Sequence, residues 1–227
     1  MRAPLRYAAA KNSTVRGRAR AYLRGLVPDY WIDFVSNQVI WDGALLKGIA
    51  DIPGLSGTAQ TGVDGHLANA GASVLTFAGI NIPAPFGIFL EANRQGDLGA
   101  NETLVQLDSG FSLDCSRITI NAADSLRPQE FVANTATYNP ATGYTAAIGV
   151  PFRVASRHAT NDCQGAVNGA LTAVTTSITI PANRTTLQIG AAVSGLLPCN
   201  AYIRRLAIVK RGPTAAELSA GTLGWKP

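Results

Sequence analysis

The chain has 227 residues, enough for one large or two small domains, and only 15 % of them are charged, where about a quarter is usual. With 47 % apolar residues and a net charge of +5, the composition excludes a disordered polyelectrolyte and allows a sizeable core. The charge is unevenly placed. Residues 1–28 carry Arg2, Arg6, Lys11, Arg16, Arg18, Arg20 and Arg24 and no acid, so this arm is +7, and the other twelve basic residues against 14 acids leave the body at −2. Basicity belongs to the arm, and a nucleic-acid reading can apply only there.

In chain order, Asn12-Ser13-Thr14 can cap a short helix over about 15–26, since Ser and Thr satisfy the first orphan amides. Gly17 and Gly25 weaken it, so it is expected to be marginal alone and to order on a partner. Three readings of the arm stand side by side. A docking peptide for an acidic partner ranks first, then a solvated tail, then nucleic-acid binding, which is disfavoured because only Tyr7 and Tyr22 interleave with the basic residues.

From Tyr30 onward, short apolar runs are separated by Gly, Pro, Asn and Asp. Candidate strands are 30–35, 39–41, 74–80, 87–92, 103–108, 117–121, 130–138, 144–158, 164–167, 171–180, 185–190 and 202–210. Residues 42–72 read as a long Gly-rich loop with a turn of helix. Many short strands without interleaved amphipathic helices predict an antiparallel β-sandwich. Asn168-Gly169 between two β runs predicts a type I′ hairpin turn. Thr214-Ala215-Ala216-Glu217 matches a capping box opening one short C-terminal helix, with Gly221 as its stop. The resulting division is a basic arm over 1–28, a loop-rich lead-in with early strands over 29–73, and a β-sandwich domain over 74–227.

The most apolar stretch, 74–90, is broken by Asn81, Pro83 and Pro85 and is too short to span a bilayer. The N-terminus has no continuous apolar core for a secretory signal, despite Ala8-Ala9-Ala10. Cys115, Cys163 and Cys199 show no CxxC spacing. They read as three reduced, buried thiols, with one disulfide plus a remaining thiol as the alternative. His66 and His158 lack partners at ligand spacing, and GxSxG, HExxH and P-loop signatures are missing, so no enzyme is expected. Asn-x-Ser/Thr triplets at Asn12, Asn101 and Asn183 read as chance.

The last third carries a resemblance. Phe152-Arg153-Val154-Ala155-Ser156-Arg157 leads to Gln164-Gly165-Ala166-Val167-Asn168-Gly169, then Leu187-Gln188-Ile189-Gly190, Tyr202-Ile203-Arg204-Arg205-Leu206 and Thr214-Ala215-Ala216-Glu217-Leu218. This order resembles the end of concanavalin A-like (laminin G-like) jelly-roll domains, in particular those of bacteriophage and phage-like particle proteins. The resemblance is clear over about 150–222, extends back to Val74 and does not include the arm. It implies two curved antiparallel sheets packed face to face, with the last strand returning beside the early ones. It further implies ligand recognition, often of glycans, or a structural role in a virion.

Glycosidases of that fold use an E-x-D-x-E strand, and no acids here alternate in that way. Calcium binding is the lesser alternative for the Asp97–Glu102 loop and for Asn161-Asp162, because turn formation explains both equally well. No other cofactor or metal is expected. For sugar stacking, Tyr138, Tyr144 and Trp225 are the exposed aromatic candidates, while Trp31 and Trp41 read as core or interface. The first functional expectation is a non-enzymatic virion structural protein. It would attach to other virion proteins through the arm, localise to the virion and form a homo-oligomer. The alternative is a lectin-like module for host surface glycan.

Overall fold

The computed structural model describes residues 14–109, 114–181, 183–192 and 195–223. Arg2, Arg6, Lys11 and Trp225 therefore lie outside the described residues. The strands are β1 (Tyr30–Asp33), β2 (Gln38–Trp41), β3 (Ala44–Leu46), β4 (Leu55–Ser56), β5 (His66–Asn69), β6 (Leu75–Ile82), β7 (Phe86–Arg94) and β8 (Glu102–Asp108). They continue with β9 (Cys115–Ile120), β10 (Leu126–Val132), β11 (Thr135–Tyr138), β12 (Pro151–His158), β13 (Gln164–Val167), β14 (Ala170–Leu171), β15 (Arg184–Ile189) and β16 (Asn200–Val209). Helix α1 covers residues 14–22 and α2 spans Ala215–Thr222.

Nine strands form a large sheet in the order β14-β13-β12-β7-β16-β1-β2-β3, with β5 also on β16, and seven form a smaller sheet, β11-β10-β9-β8-β15-β6-β4. These pairings are antiparallel, and the fold is an all-β jelly-roll sandwich. Residues 29–73 do not precede the sandwich as a lead-in. They supply β1, β2, β3 and β5 to the large sheet and β4 to the small one.

Alternation along the strands builds the core. Ile32, Phe77, Ile88, Leu90, Val105, Leu107, Ile118, Val154, Leu187, Leu206 and Ile208 face one another between the sheets. Several predicted strands divide where the backbone turns. The 130–138 run is a hairpin, β10 to β11, closed by Ala133 and Asn134 at positive φ. Alanine there carries no turn signal, so the break was hidden in the sequence. The 144–158 run is strand only from Pro151, after Gly149 at positive φ. The 171–180 run has left the sheet after Leu171 except for a bridge to Cys163. Asn168 and Gly169 do form the expected two-residue hairpin turn, both at positive φ.

The outer face of the large sheet is apolar and covered. Val15, Ala19, Tyr22, Leu23 and Leu26 recur at helical spacing and bury against Trp31, Ile40, Phe89, Ala155, Ala207 and Val209. α1 thus orders on its own sandwich, which corrects the expectation of a helix waiting for an outside partner. Arg16, Arg18 and Arg20 stay on its exposed side, and Arg24 is exposed in the turn that follows. α2 has the predicted capping box, with the Glu217 amide donating to Thr214 Oγ1 at 3.2 Å and the Thr214 amide to Glu217 Oε2 at 2.8 Å. It runs through Gly221 to Thr222. That glycine is no stop signal: a Cβ there would meet Phe89 Cε1 at 2.6 Å, so it lets the helix approach the sheet.

Leu23 is buried under α1 with no polar role. Leu23→Ala is expected to lower unfolding free energy by about 2–5 kcal/mol, read as a shifted urea midpoint at constant slope.

Candidate functional site

The small sheet turns its apolar side chains inward, so the alternate positions face out. Register aligns six of them into one row across neighbouring strands: Ser56, Thr76, Gln188, Gln106, Arg117 and Gln129. At strand spacing this row is about 24 Å long. A parallel row holds Thr103, Thr119 and Arg127.

The side chains hold one another in place. Arg117 Nε donates to Gln106 Oε1 at 2.6 Å, and Gln106 Nε2 to Asp108 Oδ2 at 2.8 Å. Thr119 Oγ1 donates to Gln129 Oε1 at 3.0 Å, and Gln129 Nε2 to Asn139 Oδ1 at 2.9 Å. The Arg117 guanidinium lies 4.6 Å over the Phe131 ring. Two polar atoms on this face are buried without a hydrogen-bond partner among the described residues, Thr103 Oγ1 and Arg127 Nε. Neither described helix packs here, since both lie on the large sheet, yet Thr103, Gln106 and Asp108 are 0 % exposed, so the accessible members of the face are Ser56, Thr76, Arg127 and Gln129. Held in this way, the half-buried Gln129 amide and Arg127 guanidinium can accept from and donate to ligand hydroxyls with little further ordering.

The aromatic candidates fare differently. Tyr138 is 1 % exposed, so it is no platform. β11 turns it inward, where its hydroxyl meets Thr172 Oγ1 at 3.2 Å and burial pushes its ionisation upward. Tyr144 is half-buried against Phe152, with ring centroids 6.1 Å apart. Trp41 sits in the core beside Tyr30 and Phe77, and Trp31 lies under α1 against Tyr22, as expected of core and interface residues.

The oxygen-rich loops are organised around arginines. Arg94 Nη2 contacts Asp97 at 2.8 Å and Glu102 at 2.5 Å, and its Nη1 contacts Asp124 at 2.6 Å. Asp162 pairs with Arg157. Among the described residues no group of three or more His, Cys, Asp or Glu could hold a metal ion. The three cysteines are buried thiols with no disulfide, and burial pushes Cys115 and Cys163 up to about 12, so neither is a ready nucleophile.

The amide row was missed in the sequence. Its signal is the polar half of each alternating strand: Gln106 and Asp108, Arg117 and Thr119, Arg127 and Gln129, Thr186 and Gln188.

Neither a protein-family model nor a curated protein sequence matches the chain. Solved structures do match in fold. Domain 4 of an extracellular GH43 arabinanase from Geobacillus stearothermophilus, in complex with arabinotriose, is 13 % identical with a TM-score of 0.65, covering 86 % of this chain and 98 % of that one. The CBM40 of a Ruminococcus gnavus sialidase bound to α2,3 sialyllactose is 15 % identical with a TM-score of 0.51, covering 64 % of this chain and 93 % of that one. Trypanosoma rangeli sialidase in complex with sialic acid is 9 % identical with a TM-score of 0.60, covering 96 % of this chain but 38 % of that one. The fold is a concanavalin A-like jelly roll.

Within this jelly roll both histidines are buried. His158 Nε2 lies 2.8 Å from Ser156 Oγ and its Nδ1 2.9 Å from Glu130 Oε2, an order of groups that could serve a nucleophilic serine. All three are 0 % exposed, and Glu130 is already engaged by Arg184 and by Ser116 Oγ at 2.5 Å. A substrate has no route to that serine in this packing. His66 accepts from the Gln60 amide at Nδ1 (3.2 Å), which leaves its Nε2 as donor to the Ser73 carbonyl at 2.8 Å. Burial lowers its pKa below the usual 6.5, so the folded state keeps the ring neutral while the unfolded chain takes up a proton below about 6.5. Stability is therefore full above that value and falls on acidification from pH 7.5 to 5, by at most ~1.4 kcal/mol per pH unit. Urea midpoints across that range, with ¹⁵N shifts showing His66 still in its Nε2–H form, check this.

Proposed function

We propose that the protein is a non-enzymatic glycan-binding module whose ligand lies along the outer face of the small sheet. The observation that carries this reading is the cross-strand row of polar side chains, accessible at Ser56, Thr76 and Gln129 and, in the parallel row, at Arg127. A saccharide chain offers hydroxyls at regular intervals, each both donor and acceptor, which matches a row mixing amide, guanidinium and hydroxyl groups. Support also comes from the arabinotriose and sialyllactose complexes among the structural neighbours. The burial of Ser156, His158 and Glu130 favours binding over hydrolysis.

A glycan array of the purified chain should give saturable binding to at least one oligosaccharide. Gln129→Ala and Arg127→Ala, both at half-buried positions, should each weaken it about tenfold, near 1.4 kcal/mol, with unchanged thermal unfolding. An array with no binder, or full affinity in both variants, overturns the assignment.

A second reading keeps the attachment role in a phage-like particle, with a homo-oligomer of this chain held by α1. The observation favouring it is that Arg16, Arg18 and Arg20 remain exposed on a helix anchored from beneath, with Arg24 exposed in the turn after it. The expected result is that the chain co-sediments with such particles and that Arg16→Glu with Arg20→Glu releases it without loss of fold. None of the neighbours above is a virion protein.

A further inference from the structure

The outer face of the large sheet carries a second polar centre, beneath α1. Strand β16 bulges between Ile203 and Arg205, which brings Arg204 and Arg205 together towards Glu91 on β7. Glu91 is met by Arg153 Nη2 at 2.9 Å, Arg205 Nη1 at 3.1 Å and Arg204 Nε at 3.3 Å. Arg205 Nε also lies 3.4 Å from Asp33 Oδ1. Three guanidiniums thus surround two carboxylates, and the Tyr22 ring lies 4.5 Å from the Arg153 guanidinium. Burial, then the Glu91 charge, push the Tyr22 hydroxyl's ionisation upward, so it adds no negative charge at neutral pH.

Beside this centre is a cavity of about 320 Å³ between α1 and the large sheet, lined by Arg18, Tyr22, Trp31, Asp33, Ser36 and Arg205 among others. Its carboxylate is spent: Asp33 Oδ1 accepts from the Val35 amide at 3.0 Å and the Ser36 amide at 3.3 Å, and Oδ2 from Ser36 Oγ at 2.7 Å. Its unspent capacity is in donors. Trp31, 1 % exposed, has a buried Nε1 with no partner among the described residues, and the Arg18 guanidinium is exposed at the rim. An occupant must therefore bring acceptors and tolerate an excess of positive charge. The volume is at the low end of ligand sites, roughly 300–1,000 Å³, which suits one ring and its substituent. Tyr22, Ala21 and Val35 supply apolar wall.

We propose that this cavity is a binding site for a ring-sized carboxylate, its ring against Tyr22 and Val35 and its carboxylate towards the Trp31 indole N–H and Arg18. The site is independent of the glycan face, which lies on the other sheet. The test is ¹H–¹⁵N spectroscopy of the full chain titrated with benzoate, with benzamide as the neutral analogue of equal size. The chain has three indoles, and the Trp31 N–H is assigned through the contacts of its own ring with Tyr22, the two ring centroids being 4.8 Å apart. Benzoate should shift that resonance saturably in the millimolar range. Benzamide should bind at least about tenfold more weakly, as should benzoate to Arg18→Glu, the worth of one charge-assisted hydrogen bond. Because Arg18 is on the exposed side of α1, that variant should keep the native spectrum elsewhere. No shift at Trp31 up to saturating benzoate, equal shifts with benzamide, or unchanged affinity in Arg18→Glu overturns the proposal.

Discussion

Strand β16 is the last strand among the described residues, and it lies in the middle of the large sheet. Along one edge it pairs with β7 over Ala201 to Val209. Along the other it pairs with β5 through Asn200 to Ile203 and with β1 through Arg205 to Ile208. Before it arrives, the β1-β2-β3 meander and the β7-β12-β13-β14 half of the sheet have no shared backbone hydrogen bonds. The contacts it closes reach back more than a hundred residues, so the ordering entropy of the loops between must be met before the gain in pairing. The outer apolar face that α1 and α2 cover exists only once β16 has joined Phe89 to Trp31 through Ala207 and Val209. The seat of α1 therefore depends on one strand's position, whereas α2 packs on β12, β13 and β14.

Charge is buried at the two ends of the strand next to it. At the end of β7, Arg94 crosses to Glu102 on the opposing sheet, and Glu102 Oε2 also accepts the Asn200 amide of β16 at 3.0 Å. At its start, Phe86 pairs in register with His158 and stacks on it, with ring centroids 5.0 Å apart, and His158 reaches Glu130 on the small sheet. Between these clamps the inter-sheet space is apolar. Buried ion pairs of this kind add little net stability over a well-packed apolar replacement, yet removing one partner costs about 3–5 kcal/mol. Their effect is to make a shifted packing of sheet on sheet expensive. They also account for the charge-poor surface: Glu91, Glu102, Glu130, Asp33 and Asp108 are all buried, leaving neutral polar groups to face water.

Much of this was legible as pattern. Strand alternation marked most strands, Asn168-Gly169 and Thr214 to Glu217 marked a turn and a cap, and all three hold because their chemistry is local. What could not be read is what depends on register. Gln188, Gln106 and Arg117 come from stretches spread over more than eighty residues, and only the pairing of β15, β8 and β9 aligns them. Tyr138 illustrates the converse. Its position near the end of a run suggested exposure, but the Ala133-Asn134 turn, invisible in composition, sends β11 back and points it inward. The arm was misread for a related reason. Its Arg excess was visible, whereas the apolar spacing of Val15, Ala19, Tyr22 and Leu26 was outweighed by Gly17 and Gly25. Tertiary packing decided the matter, as it does for most short helices.

The two outer faces have opposite solutions to the same geometric problem. Each sheet has one face in the core and one outside, and an outside face must be either covered or polar. The large sheet takes cover, because Trp31, Ile40, Phe89 and Val209 cannot be left in water; its few charged groups then need partners, and Glu91 gathers three guanidiniums. The small sheet takes polarity, and Gln106, Thr119 and Gln129 are held by neighbouring side chains while Thr103 Oγ1 is left without a partner among the described residues. A side chain fixed by its neighbour has already lost its rotamer freedom, so a ligand that bonds to it meets less of that entropic cost. The same sideways hydrogen bonds that hold the half-buried Gln129 therefore prepare the accessible end of the row to bind.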